Sequence, residues 1–260
     1  MRAPTYAVEA EVEQTHWWFE GRRRLFGHEL RRAGVSADAR TLDVGTSTGS
    51  NLRLLRDIGF TRVTGLDLSL EAIRLCESKG FGPVRQGSVC EMPFHDSSFE
   101  LVLATDIIEH VEDDLLALTE IARVTAPRGR VLITVPAFQS LWGLQDEVSL
   151  HKRRYRMRTL IDLVRRVGLR PSECFYFNYL LFAPIWLARR VMRYARIDVR
   201  SEGEVNTPTL NFILKGIFTA DVWTAPLLRP PFGVSILVLA EKPAVFASEP
   251  SVHSHATDAR

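Results

Sequence analysis

The sequence predicts an α/β fold, a doubly wound sheet of seven mostly parallel strands with helices on both faces. Three observations carry this. Short apolar, β-branched runs alternate with helical apolar periodicity from residue 41 to 136, as βα units do. Gly59, Gly80 and Gly168 close the helical stretches where a left-handed residue is wanted. Two further apolar runs, 173–177 and 233–240, follow that region and complete a sheet of seven. With 260 residues, 46% of them hydrophobic, the chain can bury a full core within one domain.

Leu42 to Val44 is the first strand. Leu52, Leu55 and Ile58 then share one helical face, and 62–66 reads as the second strand with Asp67 at its end. Ser69 caps a helix over 70–79, and 83–86 is a short third strand. The fourth strand is 99–104. Asp113 and Asp114 favour the start of a helix that runs to Val124, with Pro127 and Gly129 after it and a buried fifth strand over 130–135. Residues 137–158 read as a long loop. A helix follows, with Thr159 as its cap and Asp162 completing a capping box. Between the last two strands, 179–231 is an insertion of amphipathic helices, in which Phe182, Trp186, Phe212, Phe218 and Trp223 are punctuated by Arg189, Arg190, Arg193 and Lys215. The division expected is N-terminal helices over 1–40, a main domain over 41–242 containing an insertion at 178–231, and a disordered tail over 243–260, which from Ala247 onward lacks large apolar residues apart from Val252.

A net charge of +2 and a pI near 8.5 are too mild for a nucleic-acid binder. Three scattered cysteines, Cys76, Cys90 and Cys174, without a CxxC pair, suggest neither a disulfide framework nor a zinc site and fit a reducing, cytoplasmic setting. The N-terminus carries acids where a leader would carry its apolar core, and no run approaches the ~20 apolar residues of a membrane span.

The most informative stretch is Thr41-Leu-Asp-Val-Gly45-Thr-Ser-Thr-Gly49-Ser-Asn, followed by Gly65-Leu-Asp67-Leu-Ser69. A buried strand running into a small-residue turn lets backbone N–H groups approach a ligand, and an acid at the end of the next strand accepts hydrogen bonds from ribose hydroxyls. A dinucleotide fingerprint G-x-G-x-x-G would need glycines where Ser47 and Ser50 stand, which argues against NAD or FAD, as does the lack of a Tyr-x-x-x-Lys pair.

The run instead resembles motif I of the class I S-adenosylmethionine-dependent methyltransferases, D-x-G-x-G-x-G, matched by Asp43, Gly45 and Gly49 with Ser47 in place of the middle glycine. The resemblance covers 41–136 closely and extends more loosely to Lys242. It implies a Rossmann-like sheet, S-adenosyl-L-methionine as cofactor, Asp67 on the ribose, Leu68 against the adenine, and Ser88 and Val89 at the position of the adenine-binding Asp and its apolar neighbour. Ser88 is the second departure from the family pattern, since it offers a hydrogen bond without charge.

Phe94 to Val111 resembles the fourth-strand signature of the small-molecule methyltransferases related to quinone-biosynthesis enzymes. It puts Thr105 and Asp106 at a strand's carboxyl end, with Glu109 and His110 just beyond. Asp106, Glu109 and His110 are too weak a pattern to imply a metal, and none is expected. His16-Trp17-Trp18-Phe19-Glu20-Gly21-Arg22-Arg23-Arg24 resembles the lid helix of a bacterial subgroup of these enzymes. Trp17 or Trp18 is then expected over the site, and one arginine, Arg22, on the cofactor carboxylate. The alternative for this run is a helix packed on the sheet, its arginines in solvent.

The loop after the fifth strand, which faces substrate in that subgroup, holds Asp146 and His151-Lys-Arg-Arg-Tyr-Arg-Met-Arg158. His151 is the preferred general base, with Asp146 to orient it and His110 as a second candidate. The basic run would grip a phosphate or carboxylate, or else form a solvated face. The reaction expected is in-line transfer of a methyl group to a small, hydrophobic or lipid-linked acceptor, most simply at oxygen. The partners expected are that small molecule and a membrane surface touched peripherally, with no nucleic acid, in a monomer or homodimer. The rival is a methyltransferase-like module that binds without catalysis.

Overall fold

The computed structural model describes residues 10–195 and 207–244. Residues 1–9, the 196–206 part of the expected insertion, the Arg193 side chain and all of the expected tail from 245 onward lie outside the described residues.

Seven strands form one sheet: β1 (Thr41–Val44), β2 (Val63–Asp67), β3 (Val84–Gln86), β4 (Phe99–Thr105), β5 (Thr125–Pro136), β6 (Arg170–Phe177) and β7 (Ser235–Glu241). Their order is β3-β2-β1-β4-β5-β7-β6; β7 runs antiparallel to both its neighbours and the other pairs are parallel. The chain winds outward from β1 to β3, then returns to place β4 on β1's other side. That reversal opens a crevice at the carboxyl ends of β1 and β4, where open α/β sheets bind ligands.

The helices are α1 (Trp17–Arg32), α2 (Ser50–Asp57), α3 (Leu70–Ser78), α4 (Asp114–Val124), α5 (Leu144–Val148), α6 (Met157–Arg166), α7 (Phe182–Ala195) and α8 (Pro208–Leu228). Period-two alternation splits the sheet residues between two cores. Val102, Val131, Ile133 and Val238 meet α4 and α6 on one face. Leu101, Leu103, Leu132, Phe175 and Phe177 meet α1, α2 and α8 on the other. The N-terminal helix is therefore part of the sheet's covering layer, with Leu25, Phe26 and Leu30 fully buried. It crosses α8 at Gly21, where any side chain would overlap the Phe218 ring.

Three expectations are corrected. The region 137–158 is not a loop throughout, because a 3-10 turn at Gln139–Leu141 and the five-residue α5 interrupt it. The helix capped by Thr159 instead begins at Met157, with Arg156 at the N-cap and no capping box. The Tyr176 hydroxyl of β6 accepts from Met157 N at 3.1 Å, so a remote side chain takes the place of the local cap. The fifth strand starts at Thr125, directly after α4, because Thr125 already pairs with Phe99 across a register shift. The Ser69 and Asp113 caps stand where the sequence puts them.

Candidate active site

The crevice encloses about 1120 Å³, above the usual ~300–1,000 Å³ of a single-ligand site. Its polar part comes from strand ends. Gly45 (φ +75°) turns the chain out of β1, and a Cβ there would meet Ile107 at 2.7 Å. Ser47 is also left-handed (φ +47°), and its N–H donates to Asp67 Oδ2 at 2.9 Å. Asp67 Oδ1 accepts from Ser69 N at 2.8 Å, so the acid is fixed by the two turns it joins and still borders the crevice. Beside it Leu68 is 70% exposed, while Val89 is buried and Ser88 lies at the same rim. An apolar side chain left in water next to a fixed carboxylate suits an adenosine, whose base would cover Leu68 while its sugar hydroxyls donate to Asp67.

Asp43 and Gly49 do not line the crevice; they act from behind it. Gly49 (φ +88°) starts α2, and a Cβ there would meet Phe81 and Cys76, so its smallness serves helix packing. Asp43 is fully buried, its Oδ1 accepting from Asn51 Nδ2 at 2.9 Å, and Asn51 Nδ2 also reaches Thr105 Oγ1 at 2.8 Å. Burial pushes the Asp43 carboxyl up to about 7, and Oδ2 has no hydrogen-bond partner among the described residues. Asn51, which the sequence reading passed over, ties β1 to β4 through this bridge. The signal available was an amide directly after the small-residue turn.

The N-terminal helix divides its work. Trp18 stacks on Phe177 and Phe218 (6.1 and 5.4 Å between centroids), and Trp17 meets Phe218 edge-on at 5.3 Å; both also border the crevice. Arg22 lines the crevice, but its Nη2 pairs with Asp106 Oδ2 at 2.6 Å, under the Trp18 and Phe26 rings. The turn before α1 is held by Glu13, also missed in the sequence. It is buried, accepts from the Thr48 hydroxyl and pairs with Lys79 at 2.7 Å.

His151, His110 and Glu109 converge at the β4 end. His151 Nδ1 lies 2.8 Å from Asp146 Oδ1, and its Nε2 is 4.0 Å from Glu109 Oε1. The His110 ring stands edge-on to it at 4.7 Å. Asp146 does not line the crevice; fully buried, it also takes Gly143 N at 2.8 Å and Arg154 Nε at 2.7 Å. Burial alone would raise its carboxyl, but the His151 and Arg154 bonds outweigh that and hold it down to about 2. An ionised Asp146 fixes the proton on Nδ1 and leaves Nε2 as an acceptor. Burial, then the neighbouring His151, brings His110 down to about 4. Glu109 is fully buried with neither oxygen hydrogen-bonded among the described residues; burial, then Asp106, keeps it well above the usual carboxylate range. Glu109, His110 and His151 offer ligand atoms within 4.8 Å of one another, a donor set that uses His151 where the sequence grouped Asp106.

Three cations of the basic run have acidic partners: Lys152 pairs with Glu112 (2.6 Å) and Arg153 with Asp114 (3.1 Å), tying the loop to the segment after β4, and Arg154 pairs with Asp146 within the loop, while Lys152 and Arg154 also line the crevice. The remaining wall is largely apolar toward the helices, with Val148 and Leu150 from the α5 region, Ile185 from α7, and Leu210 and Leu214 from α8, and carries Gln145, Ser149, Asn178, Arg189 and Ser235 among them.

Known proteins resemble this chain in sequence over its first strands and in fold over most of its length. Residues 42–133 match the methyltransferase domain family. The chain is 35% identical over 130 residues to a malonyl-[acyl-carrier protein] O-methyltransferase of Erwinia billingiae, 48% of this chain and 50% of that one. It is 28% identical over 149 residues to a ubiquinone/menaquinone biosynthesis C-methyltransferase of Bdellovibrio bacteriovorus, 53% of this chain and 60% of that one. The chain thus spans about half the length of the curated relatives it matches. A SAM-dependent methyltransferase structure from Archaeoglobus fulgidus superposes with a TM-score of 0.56 at 20% identity, over 85% of this chain and 94% of that one, which is a likeness of fold. Residues 42–133 therefore belong to the methyltransferase domain family, and the sheet built around them has the fold of solved S-adenosylmethionine-dependent methyltransferases.

Proposed function

We propose that this protein methylates an oxygen of a small, predominantly apolar acceptor, with His151 removing the proton. The observation that carries the reading is the pair of buried Asp146 and His151, the histidine bordering a cavity larger than one ligand needs. Asp67 would hold the ribose hydroxyls, Leu68 and Val89 would flank the base, Ser88 would meet its polar edge, and the Gly45–Thr48 turn would face the methionine portion. Bound there, S-adenosylmethionine supplies a methyl group already activated as a sulfonium. The protein's own work is then alignment, exclusion of water and proton removal. His151 Nε2 accepts the hydroxyl proton as the acceptor oxygen forms its new bond, and Asp146 steadies the imidazolium that results. The apolar walls at Ile185, Leu210 and Leu214 favour an acceptor with a hydrocarbon portion.

A second reading has its own observation. The Glu109, His110 and His151 donor set could take a divalent cation and polarise the acceptor oxygen instead. One assay separates the two. With a hydroxylated quinone or a malonyl thioester as probe acceptor, His151→Gln is expected to lower kcat by about 10²–10⁴ while leaving S-adenosylhomocysteine affinity within about twofold. Dialysis of the wild type against a chelator is expected to leave kcat unchanged. Loss of activity on chelation, restored by added metal, would favour the second reading; an unchanged kcat in His151→Gln would overturn the first.

A further inference from the structure

Helix α8 is apolar on two opposite faces. Phe218, Val222 and Ala225 enter the core. Phe212, Gly216, Ala220, Trp223 and Leu227, spaced by three or four residues, form the outward stripe. Burial accounts for the first face only, since Phe212, Trp223 and Leu227 are 77%, 60% and 81% exposed. Helix α7 repeats the pattern with exposed Leu187 and Val191. The same two helices flank the cavity, contributing Ile185 from one and Leu210 and Leu214 from the other.

Charge selects the occupant of this surface. The α7 sequence has no acid, and the only acid of α8, Asp221, is fully buried. Cations fringe the stripe. The Arg190 guanidinium lies over the Trp186 ring at 5.1 Å. Beside Trp223 a groove of about 560 Å³ is bordered by Arg24, His28 and Arg31 of α1, with Lys215 opposite, against the acids Glu20 and Asp57. No helix among the described residues is long and apolar enough to cross a membrane. An apolar stripe on two helices that expose no acid of their own among the described residues, with tryptophans at its edge and a fringe in which cations outnumber the acids Glu20 and Asp57, is suited to lie in the headgroup region of an anionic bilayer. Pairing two copies through the same stripe would bring like charges together.

We propose that α7 and α8 dock this protein on an anionic lipid surface, with the cavity opening between them toward the hydrocarbon. That the cavity admits the acceptor rests on the function proposed above; the docking itself does not. Co-sedimentation with phosphatidylcholine vesicles, with and without about one third phosphatidylglycerol, tests it without cofactor. The wild type is expected to bind the anionic vesicles at least about tenfold more strongly than neutral ones. Phe212→Glu/Trp223→Glu is expected to lose about tenfold or more of that binding. Arg24→Ala/Arg31→Ala is expected to lose most of the preference for anionic lipid. Both variants should bind S-adenosylhomocysteine as the wild type does, so failure of docking is distinguishable from failure of the methyltransferase reading. Absence of vesicle binding by the wild type, or equal binding by Phe212→Glu/Trp223→Glu, would overturn the proposal. So would light scattering that gives a dimeric wild type and a monomeric double variant, which would assign the stripe to a second copy.

Discussion

Asp43 shows how a side chain can shape a site it never touches. Its carboxyl, held near 7 by burial, hydrogen-bonds Asn51, which in turn reaches Thr105. Because the folded value lies above the ordinary one, Asp43 contributes stability that is fully present below about pH 4 and lost as pH rises through about 7. Asp43→Asn cannot ionise and keeps the acceptor for Asn51. The stability of Asp43→Asn minus that of wild type, from urea titrations without cofactor, is therefore expected to grow between pH 5 and 8, by up to about 3 kcal/mol. A difference that is flat with pH would mean that Asp43 is already ionised at pH 5. His110 has the opposite sign, its value being lowered to about 4: its contribution is full above about pH 6.5 and falls as pH drops. Subtracting the two profiles cancels it.

Among the elements, α8 depends on a single carboxylate. Asp221 Oδ1 accepts from Asn178 N (2.6 Å), and Oδ2 from Tyr179 N and Leu180 N (2.6 and 2.9 Å), so the turn leaving β6 is clamped to the helix that returns over the sheet. Asp221→Ala leaves three N–H groups without their acceptor and is expected to cost roughly 3 kcal/mol, read as a lower urea midpoint with little change in slope. A shift within about 0.5 kcal/mol would show that water replaces the clamp. Interactions of this reach explain what the sequence left hidden. The strands and helices from Thr41 to Val124 were legible because periodicity and caps are local, as with Ser69 and Asp113. The start of α6 was not, since its cap is a tyrosine on the following strand, and α5 is too short at five residues to show a period. Asp146 and His151 could be paired because five residues separate them. The Arg22–Asp106 pair and the burial of Glu109 arise only when the N-terminal helix closes on the β4 end.

At the scale of the whole molecule, the order β3-β2-β1-β4-β5-β7-β6 sets the chemistry's location before any side chain is considered. Motif I and Asp67 lie on one side of the switch between β1 and β4. Thr105, Asp106, Glu109 and His110 lie on the other, and the loop after β5 brings His151 across. The apolar insertion then closes the cavity from outside the sheet. Most of the expected cofactor residues, with His110 and His151, border the crevice. Asp43 and Gly49 support that site from the interior, because the spacing of a motif does not say which of its residues face the ligand, and Asp146 stands behind His151, where a residue that orients it belongs.

The central claim is that a nucleoside lies in this crevice with its ribose on Asp67. Calorimetric titration of S-adenosylhomocysteine into wild type and Asp67→Ala tests it most directly, with the variant's folding checked by circular dichroism and Asp67→Asn as a milder companion. The account predicts binding on the order of micromolar for wild type and a loss of about 100-fold for a folded Asp67→Ala, since two hydrogen bonds to a charged acceptor disappear. No heat from wild type at millimolar ligand, or equal affinity in wild type and Asp67→Ala, would contradict it.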